Sequence, residues 1–261
     1  MHAIKIENLS KKYNDRIAVD RLSLTINKGE LLAFLGFNGA GKTTTIKMLS
    51  GLVTPTSGDA VIFGKRITNE MDEIKPYLNI SPQETAIAPN LTVFENLIFI
   101  AEVYGMKSIN AKSKAIDMMT KFDLVDRKND KAKKLSGGLK RRLSLAMALI
   151  TEPKIVFLDE PTLGLDVRAR RDLWKVIKEL KGEVTIILTT HYLEEVNALA
   201  DRIAIIDKGK LLVNGTLIEL QEKTGLNSLE DIFLSLTEGD IVKWEHLYME
   251  KEILKNFWVI R

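Results

Sequence analysis

The hydrophobic pattern changes twice along the chain, and each change marks a predicted structural region. In the first third, apolar and polar residues alternate as in strands with one buried face, with turns predicted at residues 14–15 and 28–29. Residues from about 84 to 150 instead show helical periodicity. Short apolar runs then alternate with helical segments, which is typical of a parallel sheet covered by helices. The pattern therefore predicts an α/β fold interrupted by a block of helices.

The individual elements follow from periodicity and from the residues that start and stop helices. Strands are predicted at residues 31–35, 60–63, 78–81, 155–158 and 184–188, with a hairpin at 202–214. Helices are predicted at residues 44–50, 92–105, 110–122, 138–150, 167–181, 193–199 and 228–236. We expect one domain over residues 1–225, with a helical subdomain inserted at about 84–150, and a C-terminal extension over residues 226–261.

Composition excludes several classes of protein. The 38 basic and 35 acidic residues give a net charge of +3, which is too balanced to indicate nucleic acid as a partner. There is no cysteine, so disulfides, thiolate metal sites and cysteine catalysis are excluded. No apolar run approaches the length of about 18 residues that a membrane-spanning helix needs, so we expect that the chain does not cross a membrane by itself.

Residues 36–44 read Gly-Phe-Asn-Gly-Ala-Gly-Lys-Thr-Thr, which has the G-x-x-x-x-G-K-[ST] form of a phosphate-binding loop. The loop lies between a predicted strand and a predicted helix, so backbone N–H groups and the positive helix end face a phosphate. We expect Lys42 to reach the β- and γ-phosphates and the Thr43 hydroxyl to bind Mg²⁺. The alternative is a glycine-rich turn that binds nothing. The candidate residues are Gly36, Asn38, Gly39, Ala40, Gly41, Lys42, Thr43 and Thr44.

Two carboxylates, Asp159 and Glu160, end the apolar strand at 155–158. A phosphate-loop enzyme needs an acid at such a strand end to hold its Mg²⁺, and Asp159 is predicted for this role. Glu160 points in a different direction and is predicted to orient or deprotonate an attacking water. The alternative is that the pair caps a helix or lies in a surface turn.

A second candidate anion-binding site is formed by Ser136, Gly137 and Gly138 at the start of another helix. A serine N-cap followed by two glycines leaves backbone N–H groups accessible at the positive end of the helix. One nucleotide has a single γ-phosphate, so the residues alone do not say how two such sites are used. The basic residues 140–142 are interpreted as the exposed face of this helix and are left out of the site.

Together, these motifs resemble those of the ABC ATPases. Leu-Ser-Gly-Gly at 135–138 precedes the strand that carries Asp159 and Glu160, and His191 follows it. The whole span of residues 1–225 is similar to the nucleotide-binding domain of an ABC transporter. The resemblance implies a P-loop ABC ATPase cassette, a mixed sheet with an antiparallel β layer and an inserted helical subdomain. It also implies that the chain binds ATP with Mg²⁺ and hydrolyses it.

The resemblance assigns further roles. Tyr13 resembles the aromatic residue that stacks on adenine, Gln83 the glutamine that senses Mg²⁺ and the γ-phosphate, and His191 the switch histidine that contacts the γ-phosphate. Taken alone, Tyr13 is more typical of a core residue and His191 of a structural histidine. In the family, two domains pack head to tail, and each ATP lies between the phosphate loop of one and the Ser-Gly-Gly of the other. Residues 163–166 resemble the loop that connects the two sites.

Leu139 and two stretches, residues 91–97 and 229–237, relate the chain to a subgroup, and residues 241–261 fit it less well. Leu139 stands where the family usually has glutamine, and this resembles the drug-resistance and A-type lipid exporters, so we expect it not to inactivate the site. Residues 229–237 resemble a short C-terminal motif of the same exporters, although they also read as a capped amphipathic helix. Residues 241–261 are compatible with an interfacial helix, the start of a fused membrane subunit, or a partly disordered tail.

The expected function is that of the ATP-binding subunit of an ABC transporter, which dimerises around Mg-ATP and hydrolyses it to power transport. Export is expected from the subgroup, through a separate transmembrane permease, with the chain peripheral at the cytoplasmic face of the cell membrane. Phe94, Phe99 and Tyr104 are candidates for the permease contact, with core packing as the alternative. The alternative functions are a soluble ABC ATPase acting on DNA or ribosomes, and an unrelated phosphate-loop kinase.

Overall fold

The computed structural model describes residues 2–237, and their strands form one sheet of four and one of six. The strands are β1 (His2–Tyr13), β2 (Arg16–Asn27), β3 (Leu31–Leu35), β4 (Ser57–Ile62), β5 (Lys65–Arg66), β6 (Leu78–Ser81), β7 (Ile155–Asp159), β8 (Thr185–Thr190), β9 (Arg202–Asp207) and β10 (Lys210–Gly215). The α-helices are α1 (Lys42–Leu49), α2 (Met71–Ile74), α3 (Val93–Val103), α4 (Ser108–Lys121), α5 (Gly137–Leu149), α6 (Val167–Glu179), α7 (Leu193–Leu199), α8 (Leu217–Thr224) and α9 (Leu229–Thr237). The predicted segment 241–261 lies outside the described residues.

The four-stranded sheet is antiparallel, with the order β2-β1-β4-β5. Ile4 on β1 pairs with Ile26 on β2 and with Ile62 on β4, and all three side chains are fully buried. Ile4 and Ile6 on β1, and Leu22, Leu24 and Ile26 on β2, are buried in alternation, because successive side chains of a strand point to opposite faces; shifts in the β1–β2 register interrupt the alternation elsewhere. The alternation predicted for the first third of the chain is therefore confirmed.

The six-stranded sheet has the order β10-β9-β3-β8-β7-β6 and is parallel except for β10. Its register pairs Leu35 with Thr190 and Asp159 with Thr189, so the carboxyl ends of β3, β7 and β8 meet at one edge. Ligand sites of open α/β sheets form at this kind of edge. The phosphate loop and the two carboxylates leave the sheet here.

Two hydrophobic cores lie on opposite sides of the parallel sheet. Leu31, Ala33 and Leu35 of β3 belong to the core that the later helices cover. Leu32 and Phe34 belong to the core shared with the antiparallel sheet and α1. β3 is apolar at every position because both of its faces are buried. The mixed α/β fold with an antiparallel layer is confirmed.

The helical block between β6 and β7 contains α3, α4 and α5. Thr92 and Glu95 form the predicted capping box at the start of α3, in which the Thr92 hydroxyl accepts from the Glu95 N–H at 3.1 Å and the Glu95 carboxylate accepts from the Thr92 N–H at 2.7 Å. At the other end of α3, Gly105 has a left-handed φ of 84° and stops the helix, as expected. The irregular stretch before Thr92 carries Gln83 from the sheet edge towards this block.

Candidate nucleotide-binding site

The phosphate loop joins β3 to α1, and its glycines are required by close backbone approaches. Gly41 has a φ of 106°, and a Cβ there would lie 2.5 Å from the Ala18 carbonyl oxygen. A Cβ at Gly36 would lie 2.3 Å from the Ile206 carbonyl oxygen. Any other residue at either position would collide with a neighbouring strand. The loop backbone therefore packs directly against β2 and β9. The Ala40 carbonyl accepts a further hydrogen bond from the Gly209 N–H at 3.0 Å.

Lys42 is buried at the first position of α1, and its ammonium group lies inside the loop. It donates to the carbonyl oxygens of Gly36 at 2.7 Å and Phe37 at 3.1 Å, and it lies 3.5 Å from Oε1 of Glu160. Burial lowers the pKa of the ammonium group, and the charges of Glu160 and Asp159 oppose that shift. The cation is thus held at the positive end of a helix, where a phosphate chain would be attracted.

A cavity of about 480 Å³ opens above the loop, within the usual size of a small-molecule site. The predicted residues that line it are Tyr13, Asn38, Gly39, Gly41, Lys42, Thr43, Thr44, Gln83, Glu160 and His191. Gly36 and Ala40, which were also predicted, do not line this cavity. The cavity is also lined by Arg16 and Ala18, which were not predicted, and by Leu163, which was assigned to the loop between the two sites but not to the site itself. Tyr13 is 44% exposed, so the alternative that it is a core residue is wrong.

Asp159 sits at the end of β7 under the start of α1. Its Oδ1 accepts from the Thr43 hydroxyl at 3.0 Å and from the Thr189 hydroxyl at 2.5 Å. Thr189 was not predicted as a site residue, because a threonine in an apolar strand is explained equally well by strand propensity. The alternative that Asp159 lies in a surface turn is wrong, since this residue is only 4% exposed.

The donor set next to the phosphate loop fits Mg²⁺. This ion prefers oxygen ligands and usually takes one or two from the protein and the others from phosphate and water. Thr43 and Asp159 supply a hydroxyl and a carboxylate that already touch each other, and Gln83 lines the same cavity. Within residues 2–237 no three His, Cys, Asp or Glu side chains form a metal cluster.

Glu160 follows Asp159 in a left-handed conformation with a φ of 49°, which is rare for a residue with a side chain. This turn sends its carboxylate into the cavity while Asp159 points under α1. Its Oε2 lies 2.8 Å from Nδ1 of His191, and both side chains are largely buried. The Glu160 N–H donates to the carbonyl and the hydroxyl of Thr189, each at 3.1 Å, so the strained turn is held by β8.

One charged residue contradicts the sequence interpretation. Arg141 was interpreted as part of an exposed helix face, but it is only 5% exposed. Its guanidinium group lies beneath the cavity and binds backbone carbonyls that follow β6 and β7. Arg142 is also mostly buried and contacts Asp123 and Asp172 instead. The helical periodicity of apolar residues predicts which face of a helix is buried. It does not show that a buried arginine would find five backbone carbonyls as hydrogen-bond acceptors.

Ser136, Gly137 and Gly138 lie outside the cavity formed by the other predicted residues. The Ser136 hydroxyl caps α5 by accepting from the Leu139 N–H at 3.4 Å. Leu139 is partly buried and packs against the main core. The helix end that was predicted as a second anion-binding site is capped as expected, but it does not line the cavity above the phosphate loop.

The comparisons with known proteins agree with this geometry. The ABC transporter family model matches residues 19–163. The linearmycin resistance ATP-binding protein LnrL of Bacillus subtilis is 39% identical over 89% of this chain and 75% of that protein. The daunorubicin/doxorubicin resistance ATP-binding protein DrrA of Streptomyces peucetius is 40% identical over 87% of this chain and 69% of that protein. Human phospholipid-transporting ATPase ABCA3 is 42% identical over 85% of this chain, but the match spans only 13% of ABCA3.

Solved structures of the same architecture are also similar. An ATP-binding subunit of an ABC transporter superposes with a TM-score of 0.80 at 28% identity, covering 90% of this chain and 99% of that one. A dimeric ATP-binding cassette in a post-hydrolysis state, bound to ADP and Pi, gives a TM-score of 0.74 at 25% identity over 82% of this chain and 98% of that one. In residues 2–237 no helix has the length and hydrophobicity needed to traverse a bilayer. The fold, the phosphate loop and these relatives together show that the chain belongs to the ABC transporter ATP-binding proteins and is an ABC-type ATPase.

Proposed function

We propose that this chain is the ATP-binding subunit of an ABC exporter, which dimerises head to tail around two Mg-ATP and drives a separate transmembrane permease. The observation that carries the proposal is a division of the site. The phosphate loop, Glu160 and His191 line one cavity, and Asp159 binds the Thr43 hydroxyl beside it. The helix end at 136–138 is not part of the cavity lining. A complete site therefore needs a second copy of the chain.

The residues in and beside the cavity divide the work of hydrolysis among them. Tyr13 stacks on the adenine ring, and Lys42 binds the β- and γ-phosphates together with the N–H groups of the loop. Thr43, Asp159 and Gln83 would hold Mg²⁺, which would neutralise charge on the phosphates. Glu160 orients the attacking water and accepts its proton, and His191 contacts the γ-phosphate. The 2.8 Å approach of His191 to Glu160 supports this pairing of roles.

The electrostatics of α5 supports the proposed head-to-tail dimer. Ser136, Gly137 and Gly138 begin a helix of 13 residues, whose N-terminus carries a partial positive charge of about half an elementary charge. The γ-phosphate bound to one chain is attracted to this helix end of the other. The similarity to a cassette described as dimeric and bound to ADP and Pi supports the arrangement.

The permease contact is proposed for the helical block. Phe99 and Val103 lie four residues apart on α3 and are 52% and 63% exposed, and Tyr104 beside them is 53% exposed. Phe94 instead packs partly against the core. An exposed apolar face of this kind is a candidate protein-binding surface. Docking there would hold the chain at the cytoplasmic face of the cell membrane, as a peripheral subunit.

The direction of transport rests on similarity. LnrL and DrrA are named as resistance ATP-binding proteins, and both match this chain over most of its length. A resistance protein lowers the internal concentration of a toxic compound, and export is the transport direction that does so. Nucleic acid is not expected as a partner, because the numbers of basic and acidic residues are nearly equal.

The test is co-purification of the tagged chain from native membranes in mild detergent, followed by mass spectrometry. A multi-helix membrane protein in equal amount would support the proposal. A matched variant, Phe99→Ala with Val103→Ala, should keep ATPase activity and lose that partner. If the chain is found in the soluble fraction with ribosomes or DNA, the soluble ABC ATPase is the correct function.

A further inference from the structure

We propose that Arg141 is a positioning residue that holds the loop of Gln83 and the backbone of Glu160 in one fixed arrangement and links both to the helix end at 136–138. The proposal rests on the function proposed above and adds to it a connection between the two halves of the site. Arg141 does not line the cavity, and it acts through Gln83 and Glu160, which do.

The guanidinium group of Arg141 lies between two chain segments that leave the parallel sheet side by side. Nη1 donates to the carbonyl oxygens of Pro82 at 2.5 Å and Gln83 at 3.2 Å, just after β6. Nη2 donates to the carbonyl oxygens of Asp159 and Glu160, each at 2.8 Å, at the end of β7. The Nε group donates to the Pro161 carbonyl at 2.6 Å. One side chain thus fixes both segments.

The choice of arginine is explained by geometry. Arginine has five N–H donors in a rigid planar fork, whereas a lysine ammonium is a compact point charge that cannot span two segments in the same way. Among residues 2–237, every hydrogen-bond acceptor of Arg141 is a backbone carbonyl. Burial lowers the pKa of Arg141 to about 10, so the group stays charged at neutral pH. The nearby charges of Asp159, Glu195 and Glu160 oppose that shift, but the hydrogen bonds of Arg141 go to carbonyl oxygens and fix backbone positions.

The backbone that Arg141 binds is the part of the site that most needs support. Glu160 is held in a left-handed conformation, which persists only where its surroundings impose it. β6, which leads to Gln83, is the edge strand of the sheet and pairs only with β7 among the described strands. Without Arg141, the loop of Gln83 has fewer contacts with the end of β7, and the distance from Gln83 to Glu160 is free to vary.

Arg141 also lies on α5, the helix whose N-terminus is proposed to bind the partner's ATP. Arg141 is five positions after Ser136, a distance of about 7.5 Å along the helix axis. A shift of α5 on binding the partner's γ-phosphate therefore moves the guanidinium group and, through it, Gln83 and Glu160 of the same chain. This provides a physical route by which each nucleotide site senses the other.

The experiment compares Arg141→Lys and Arg141→Ala with Arg142→Lys, a control on the same helix whose partners are Asp123 and Asp172 outside the cavity. ATP affinity without Mg²⁺ and the kcat for Mg-ATP are measured for each. Arg141→Lys should bind ATP within about twofold of wild type, since it leaves the phosphate loop intact, while kcat falls by about 10- to 100-fold. Arg142→Lys should retain kcat.

Chemical rescue separates positioning from general instability. Adding guanidinium ion at low millimolar concentration should restore part of the kcat of Arg141→Ala and should not activate Arg142→Lys. If Arg141→Ala does not fold, the kcat of Arg141→Lys decides. The proposal is overturned if Arg141→Lys keeps the kcat of Arg142→Lys, or if its ATP affinity falls as much as its kcat. A wild-type protein without ATPase activity would instead refute the proposed function itself.

Discussion

Replacing Thr189 by valine tests most selectively how Asp159, the carboxylate proposed to hold Mg²⁺, is supported. Valine has the same shape and the same branching at Cβ, so β8 and its packing should be retained. The fully buried Thr189 hydroxyl donates to Asp159 at 2.5 Å, and this bond is lost. A hydrogen bond to a charged group contributes about 1.5–3 kcal/mol. The Glu160 N–H keeps the Thr189 carbonyl as acceptor, so no donor is left unpaired there.

We therefore expect Thr189→Val to lower the free energy of unfolding by about 1.5–3 kcal/mol in urea titrations followed by tryptophan fluorescence. Asp159 then keeps only Thr43 as a fixed donor, and its carboxylate is free to rotate. Loss of such a supporting bond typically weakens metal binding by about 10- to 100-fold. The Mg²⁺ concentration that half-activates the ATPase should rise within this range, while binding of ATP without Mg²⁺ should change little.

The matched control is Thr185→Val at the other end of β8. Thr185 is also buried, and its hydroxyl accepts from the Gly29 N–H at 3.0 Å. This variant loses one hydrogen bond and should be destabilised by about 1–3 kcal/mol, because the Gly29 donor is left unpaired. Its Mg²⁺ dependence should equal that of wild type. The role of Thr189 in positioning Asp159 is refuted if Thr189→Val keeps the wild-type Mg²⁺ dependence of the ATPase, or if Thr185→Val shifts that dependence equally.

Two further predictions concern buried groups near the site. Burial raises the pKa of the Glu195 carboxyl, whose Oε1 accepts from Trp174 Nε1 at 3.1 Å, so the folded state holds this proton to a higher pH than the unfolded chain does. The stability that this group contributes is lost as pH rises above its unfolded pKa of about 4.3. Glu195→Gln should therefore be at least as stable as wild type near pH 8 and should lose this advantage near pH 5. A difference in stability between the two proteins that is the same at both pH values would contradict this. Phe233 of α9 is 5% exposed and its ring centroid lies 4.9 Å from that of Phe37 in the phosphate loop, so Phe233→Ala should cost about 3–5 kcal/mol of stability. Leu234→Ala, at a position that is 37% exposed, should cost much less in the same denaturation experiment, and equal losses would show that α9 does not pack in this way.

The sequence predicted well what depends on local pattern. β6 was predicted at residues 78–81 and α7 at 193–199, and both have these bounds in the structure. The phosphate loop was recognisable because all of its binding groups lie within nine consecutive residues. The end of α6 was predicted two residues late, which is the usual uncertainty where a helix frays.

Long-range contacts explain what was missed. Thr189 joins the site only because β8 and β7 pair in a register that places it beside Asp159. Arg141 joins the site because α5 crosses beneath two strand ends, and neither its periodicity nor its charge reveals the carbonyls there. Arg16 lines the cavity only after the β1–β2 hairpin folds over the phosphate loop. These relations exist in the tertiary structure and have no local sequence signal.

The central claim is that two copies of this chain close around ATP and that Glu160 then acts on water. The most direct measurement is the mass of Glu160→Gln by light scattering after gel filtration, with ATP or with ADP. We predict a dimer with ATP and a monomer with ADP, together with turnover reduced by 10²-fold or more, on the order of general-base effects. The double variant Glu160→Gln with Ser136→Glu should remain monomeric with ATP, because the added charge repels the γ-phosphate. A monomer in ATP, a dimer that ignores the nucleotide, or turnover equal to wild type would contradict the account.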